Sequence, residues 1–214
     1  ENGAWHLLVL DTRLGLWYRE DGVEAVGFAP WGGDLYVVVT ALPRSLSSQS
    51  DPVTVERSVP DMDYVVESGN RLWGCKYGIV NGQAVNAIYA SKLGDFKNWN
   101  CYAGLSTDSY AASRGSDGAF TGAADYLGNP LFFKENCVER VYPSASGAHQ
   151  IVTVQCAGVK SGSSGSLRVV DGKLYYHSQG GVCVFDGSMP VHVSQALGEM
   201  RYHNAVAGAL DGSY

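Results

Sequence analysis

The stretch Leu167-Arg168-Val169-Val170-Asp171-Gly172-Lys173-Leu174-Tyr175-Tyr176 reads as an apolar strand, a two-residue turn, and a second strand opening on a Leu-aromatic pair. Asp-Gly between two β-rich runs is a strong hairpin signal, because the favoured turn needs positive φ at both central positions. The phrase recurs along the chain. It stands in 26–38 around Gly32-Gly33 and Leu35-Tyr36, in 64–75 around Gly69-Asn70 and Leu72-Trp73, and in 123–133 around Gly128-Asn129 and Leu131-Phe132. A further copy begins at Asn204 and runs to Tyr214.

Working outward, a third strand follows four of these units, at Val9-Leu10-Asp11, Ile88-Tyr89-Ala90, Arg140-Val141-Tyr142 and Val184-Phe185-Asp186. Fourth strands are expected at 16–18, 98–102, 150–154 and 190–193. The 214 residues thus divide into five units of about 43 residues, within the 40–50 of a four-stranded propeller blade. The interval from Leu72 to Leu131 is longer, and the Gly/Ser/Asp/Ala-rich stretch 104–118 reads as its insertion. The count closes only if 204–214 supplies the inner strands of a blade whose outer strands are Trp5–Leu10 and Leu16–Tyr18. Such sharing removes an open sheet edge.

One unit is degraded. Residues 41–52 hold two prolines and four serines where a third strand belongs, and proline cannot donate to a central ladder. The expectation is therefore a single all-β domain over 1–214, a five-bladed β-propeller with four-stranded blades, one blade closed by both termini and the second irregular.

Composition agrees with a strand-and-turn text: 27 glycines, 13 tyrosines, six phenylalanines and five tryptophans, with 17% charged residues. The net charge is −6 and no two of the fifteen Lys and Arg are adjacent, which argues against a nucleic-acid groove. No apolar run approaches the ~18 residues of a membrane helix, and Glu1–Trp5 lacks the basic-then-apolar order of a signal peptide. No membrane insertion is expected, and a soluble protein is, with its compartment left open.

The five cysteines are odd in number, widely spaced and without a C-x-x-C, so they read as small buried hydrophobes, with one or two disulfides left open. The five histidines are unclustered, so no metal is assigned. Residues 161–166 lack the Lys-Ser/Thr ending and the helix of a phosphate loop, and no cofactor is expected.

Segments such as Pro60-Asp61-Met62-Asp63-Tyr64, Asn70-Arg71-Leu72-Trp73-Gly74-Cys75, Ile88–Asn100 and Asn129-Pro130-Leu131-Phe132-Phe133-Lys134-Glu135 carry a resemblance. The blade text resembles five-bladed propellers, a group that includes tachylectin-type lectins and several glycoside hydrolases. More narrowly, these segments resemble propeller-like virion-associated proteins of tailed phages and prophages of gut bacteria. That resemblance implies an architectural or attachment role, protein partners in a larger assembly, and a place in the virion or host cytoplasm. It supplies no catalytic residues.

If the chain cleaved sugars, its carboxylates would stand where the inner strands start, since a glycosidic bond needs one protonated and one ionised carboxyl close together. Glu24, Asp61, Asp63 and Asp117 occupy such starts, and His203 that of the fifth unit. The competing reading is that strand starts favour Asp for local backbone hydrogen bonds, and it is preferred. Trp31, beside a turn, is the aromatic best placed to stack on a sugar, and with Asp117 it is the candidate for ligand binding. Tyr36, Trp73, Phe132 and Tyr175 recur at one blade position and are expected in the packing between blades. The favoured function is a non-catalytic interaction or attachment module. A carbohydrate-binding propeller with a glycan partner is the alternative, and a glycoside hydrolase comes last.

Overall fold

The computed structural model describes residues 6–11, 16–21, 25–31, 34–39, 59–197 and 205, and for the first four strands the backbone alone. Among these residues the chain is all-β, with two short 3-10 turns and no α-helix. Two hairpins come first: β1 (His6–Asp11) with β2 (Leu16–Asp21), then β3 (Ala25–Trp31) with β4 (Asp34–Val39). Three antiparallel four-stranded meanders follow. The first is β5 (Tyr64–Ser68), β6 (Arg71–Val80), β7 (Gln83–Ala90) and β8 (Tyr110–Ser113). The second is β9 (Gly122–Tyr126), β10 (Asn129–Phe133), β11 (Cys137–Tyr142) and β12 (Gln150–Gln155). The third is β13 (Arg168–Val170), β14 (Lys173–Ser178), β15 (Gly181–Phe185) and β16 (Val191–His192).

The hairpins form where the sequence permits left-handed backbone. Gly69-Asn70 (φ 59° at both), Asn81-Gly82 (50° and 79°), Leu127-Gly128 (53° and 74°) and Asp171-Gly172 (49° and 71°) each join two strands through a two-residue loop. That geometry matches the right-handed twist of the strands it connects. Among the four, Leu127 alone places a branched apolar side chain at positive φ, and it is 71% exposed.

The first strands of successive units run beside one another, β3 against β5 and β5 against β9. The sheets then pack face on face. Trp73, Cys75, Ile88 and Ala90 of the first meander meet Phe120, Phe132 and Val141 of the second. From the opposite face of the second meander, Tyr126, Leu131, Phe133 and Val138 meet Leu174, Tyr176, Cys183 and Phe185 of the third. Each large side chain removed from water in these layers contributes about 1.5–3 kcal/mol.

The repeated Leu-aromatic pairs do not hold one packing position. Leu72 and Leu174 are the second residues after their turns, whereas Leu131 is the third, behind Asn129 and Pro130. Because side chains alternate with a period of two, one extra residue moves the pair to opposite faces. Phe132 therefore points back to the first sheet, while Trp73 points forward to the second. Tyr175 is half-buried, and the side chain of Tyr36 lies outside the described residues.

Two further expectations are corrected. Residues 98–102 are not a strand, and the outer edge of the first meander is β8, inside the stretch 104–118 expected to be an insertion. The excursion is instead 91–109. It leaves the sheet because Trp99 (2% exposed), with Phe96 beside it, covers the face formed by Met62, Leu72, Val65 and Tyr89. Its return is anchored by Arg71, whose guanidinium donates to the carbonyls of Ser91, Ser106 and Asp108. The expected closing of a blade through 204–214 and the expected irregularity of 41–52 fall outside the described residues, apart from Ala205.

Candidate functional site

Of the residues proposed from sequence for a channel-end site, Glu24 and His203 lie outside the described residues. Trp31 is the last residue of β3, opposite Asp34. Its side chain lies outside the described residues.

Asp61 and Asp63 do meet, through a cation. Lys76 Nζ on β6 lies 2.9 Å from Asp61 Oδ2 and 2.8 Å from Asp63 Oδ1. The second oxygen of Asp63 accepts the Tyr77 backbone N–H at 2.8 Å, and the Asp63 N–H donates to the Cys75 carbonyl. Partial burial alone lowers the Lys76 pKa, but the hydrogen bonds and charges of Asp63 and Asp61 outweigh it and hold the ammonium above the ordinary lysine value. This is a clamp between the approach to β5 and the outer half of β6. It differs from a glycosidase pair, in which the two carboxyls flank the scissile bond in opposite protonation states.

Asp117 stands apart, on the connector from β8 to β9. It lines a cavity of about 150 Å³ together with Thr121, Glu135, Asn136 and Ser161. Three connectors build this space. The segment 117–121 is tied at Thr121, whose N–H donates to the Phe133 carbonyl. The β10–β11 turn offers Glu135 and Asn136, and the connector after β12 lies on that turn. Gly158 and Cys156 donate their N–H groups to Glu135 and Asn136 carbonyls, and the Ser161 N–H donates to Glu135 Oε1 at 3.1 Å. Gly158 is required there, since a Cβ would fall 1.8 Å from the Lys134 carbonyl oxygen. With two carboxylates and an amide carbonyl in its walls, the cavity is suited to hydrogen-bond donors.

Two nucleophile–imidazole contacts escaped the reading of the sequence. Cys183 Sγ lies 3.4 Å from His192 Nδ1 and 3.3 Å from Ser178 Oγ, and Ser163 Oγ lies 3.1 Å from His177 Nδ1. Both Cys183 and Ser163 are fully buried, and burial raises the Cys183 pKa, favouring thiol over thiolate. Ser163 Oγ also accepts the Ala205 N–H at 3.2 Å. These are contacts within the packed interior, where a thiolate or alkoxide is disfavoured. Their spacings, 9 and 14 residues apart, match no catalytic motif. Cross-strand pairing and loop packing create them.

All five cysteines are free of disulfides. Among the described residues, no three His, Cys, Asp or Glu side chains converge as a metal site. Compared with protein-family models and with curated proteins, the chain matches none.

Proposed function

We propose that the protein is a non-catalytic interaction module built as a five-bladed β-propeller. Its exposed connectors engage protein partners in a larger assembly of the kind found in phage-like particles. Support for the architecture comes from meander sheets stacked face on face, with the first strands of the first two side by side, as blades are arranged. The observation that carries the functional reading is the Lys76 clamp: Asp61 and Asp63, the carboxylates a hydrolase would use, each hold an oxygen on one lysine. Meanwhile the connectors around Asp117 form a small open polar cavity rather than a long sugar cleft. A protein partner can be received on such a surface without chemistry.

The test presents the immobilised chain with three challenges: proteins of disrupted phage-like particles, a broad glycan array, and aryl glycosides. Saturable retention of a particle protein with inert glycans and glycosides is the expected result. Glycan binding that is lost on Trp31→Ala would move the assignment to a lectin-like propeller. Glycoside turnover that disappears on Asp63→Asn would overturn the reading.

A further inference from the structure

Lys134 has no role in the clamp or the cavity, yet it is 1% exposed. Its ammonium is enclosed on all the sides the structure describes. Nζ lies 3.1 Å from Asn86 Oδ1 and 2.8 Å from the Ser116 carbonyl oxygen. It sits over the ring of Phe120 at 4.5 Å and over that of Tyr77 at 5.1 Å. Tyr77 and Asn86 are direct cross-strand partners on the β6–β7 hairpin, so ring and amide reach Lys134 from adjacent strands. Asn86 is held in place: its side-chain Nδ2 donates to the Ser116 carbonyl at 2.7 Å, and its backbone carbonyl accepts the Arg114 backbone N–H.

A lysine amine held against a carboxamide in a water-poor pocket is a nucleophile facing an acyl group at high effective molarity. Burial favours its neutral, nucleophilic form, and here it lowers the Lys134 pKa against the opposing charges of Cys137, Glu139, Cys75 and Asp117. The remaining requirement is a group to move protons. Glu139 is fully buried, stands opposite Phe132 in the β10–β11 ladder two positions from Cys137, whose carbonyl accepts the Lys134 N–H, and has no hydrogen-bond partner at Oε1, while Oε2 receives Arg114 and Thr153.

From this juxtaposition we propose that Lys134 and Asn86 join spontaneously in an isopeptide bond, with Glu139 carrying the proton between them. Lys134 Nζ, having given one proton to the carboxylate, attacks the Asn86 Cγ. The new C–N bond forms as the Cγ–Nδ2 bond breaks. Starting from the Lys134 ammonium, both protons shed by Nζ, the one Glu139 returns and the one lost on becoming an amide, end on the departing NH2, which leaves as an ammonium ion. No oxidant, reductant or cofactor enters. The product staples the β6–β7 hairpin of the first meander to the end of β10 in the second, across the face where the two sheets pack.

The experiment is the intact mass of the denatured full-length chain, followed by peptide mapping. The expected mass is below that of the sequence by one molecule of ammonia, with the peptides carrying residues 86 and 134 recovered as one branched species. Lys134→Met should restore the full sequence mass. Asn86→Asp should lose water instead and reach the same final mass as the wild type, because acid and amide give the same bond. Glu139→Gln should leave the two side chains unjoined. A wild-type mass equal to the sequence, with separate peptides for 86 and 134, would overturn the cross-link. A fully joined Glu139→Gln chain would overturn the proton-carrying role.

Discussion

Asp61 and Asp63 share the ammonium of Lys76, but Asp63 alone has a second tie, its Oδ2 accepting the Tyr77 N–H. The two carboxylates are therefore unequal. Asp61 belongs to a partly exposed pair, worth ~0–1 kcal/mol, whereas Asp63 also satisfies a backbone donor where β6 outruns β5. Asp63→Ala should cost about 1–2 kcal/mol and Asp61→Ala less than half of that, compared by urea unfolding. Equal losses would mean that the Tyr77 contact contributes nothing. The raised Lys76 pKa sets a pH sign as well. Its contribution is complete below the ordinary lysine value of 10.5 and is lost as pH climbs through the higher folded value, so Lys76→Met should flatten the alkaline limb of stability.

Leu127 offers a stabilising substitution. Its φ of 53° costs a residue with a Cβ roughly 1 kcal/mol, and at 71% exposure its side chain returns little by burial. Leu127→Asn should raise stability by ~0.5–1 kcal/mol, because Asn tolerates the left-handed region and suits the first position of this turn. A lower melting temperature for the variant would show that the leucine is covered by something in solution.

Arg114 and Glu139 form a pair in which the carboxylate is fully buried. Removing the cation strands that charge. Arg114→Met alone should destabilise by about 3–5 kcal/mol, and the double change Arg114→Met/Glu139→Met should recover most of the loss. A double-mutant cycle with additive terms would exclude the coupling.

His149 lies edge-on to Trp73 and Tyr110, at 5.2 and 5.0 Å between ring centroids. Burial, with the Arg71 charge second, lowers its pKa. The unfolded chain therefore takes up this proton first as pH falls. Stability should be full above pH 6.5, the ordinary histidine value, and decline as pH drops from there through the lower folded value. His149→Asn keeps an acceptor for the Ser144 N–H, which now donates to Nδ1 at 3.0 Å. Equilibrium unfolding at pH 7.5 and 5 should show the acid loss in wild type and a smaller one in this variant.

Local chemistry was legible in the sequence wherever it was self-contained. Asp171-Gly172 and Gly69-Asn70 announce hairpins because a two-residue turn is decided by the φ its own residues tolerate, and alternating apolar runs announce strands because the pleat is a property of the chain. Hence the order of strands in the second and third meanders could be read ahead. Which face each residue presents was decided elsewhere. A one-residue offset after the Leu127-Gly128 turn put Leu131 and Leu72 on opposite faces, and no composition signal marks an offset. Residues 98–102 have the look of a strand, but Trp99 finds more burial as a plug over Met62 and Leu72 than in a ladder. The site followed the same division. Aspartates at strand starts were visible as residues, but their sharing of Lys76, like the enclosure of Lys134 by Asn86, Ser116 and Phe120, joins positions 13 to 48 residues apart. Such pairings exist only after the sheets have stacked, because side-chain contact between distant segments is fixed by tertiary packing and not by the local conformations that a sequence spells out.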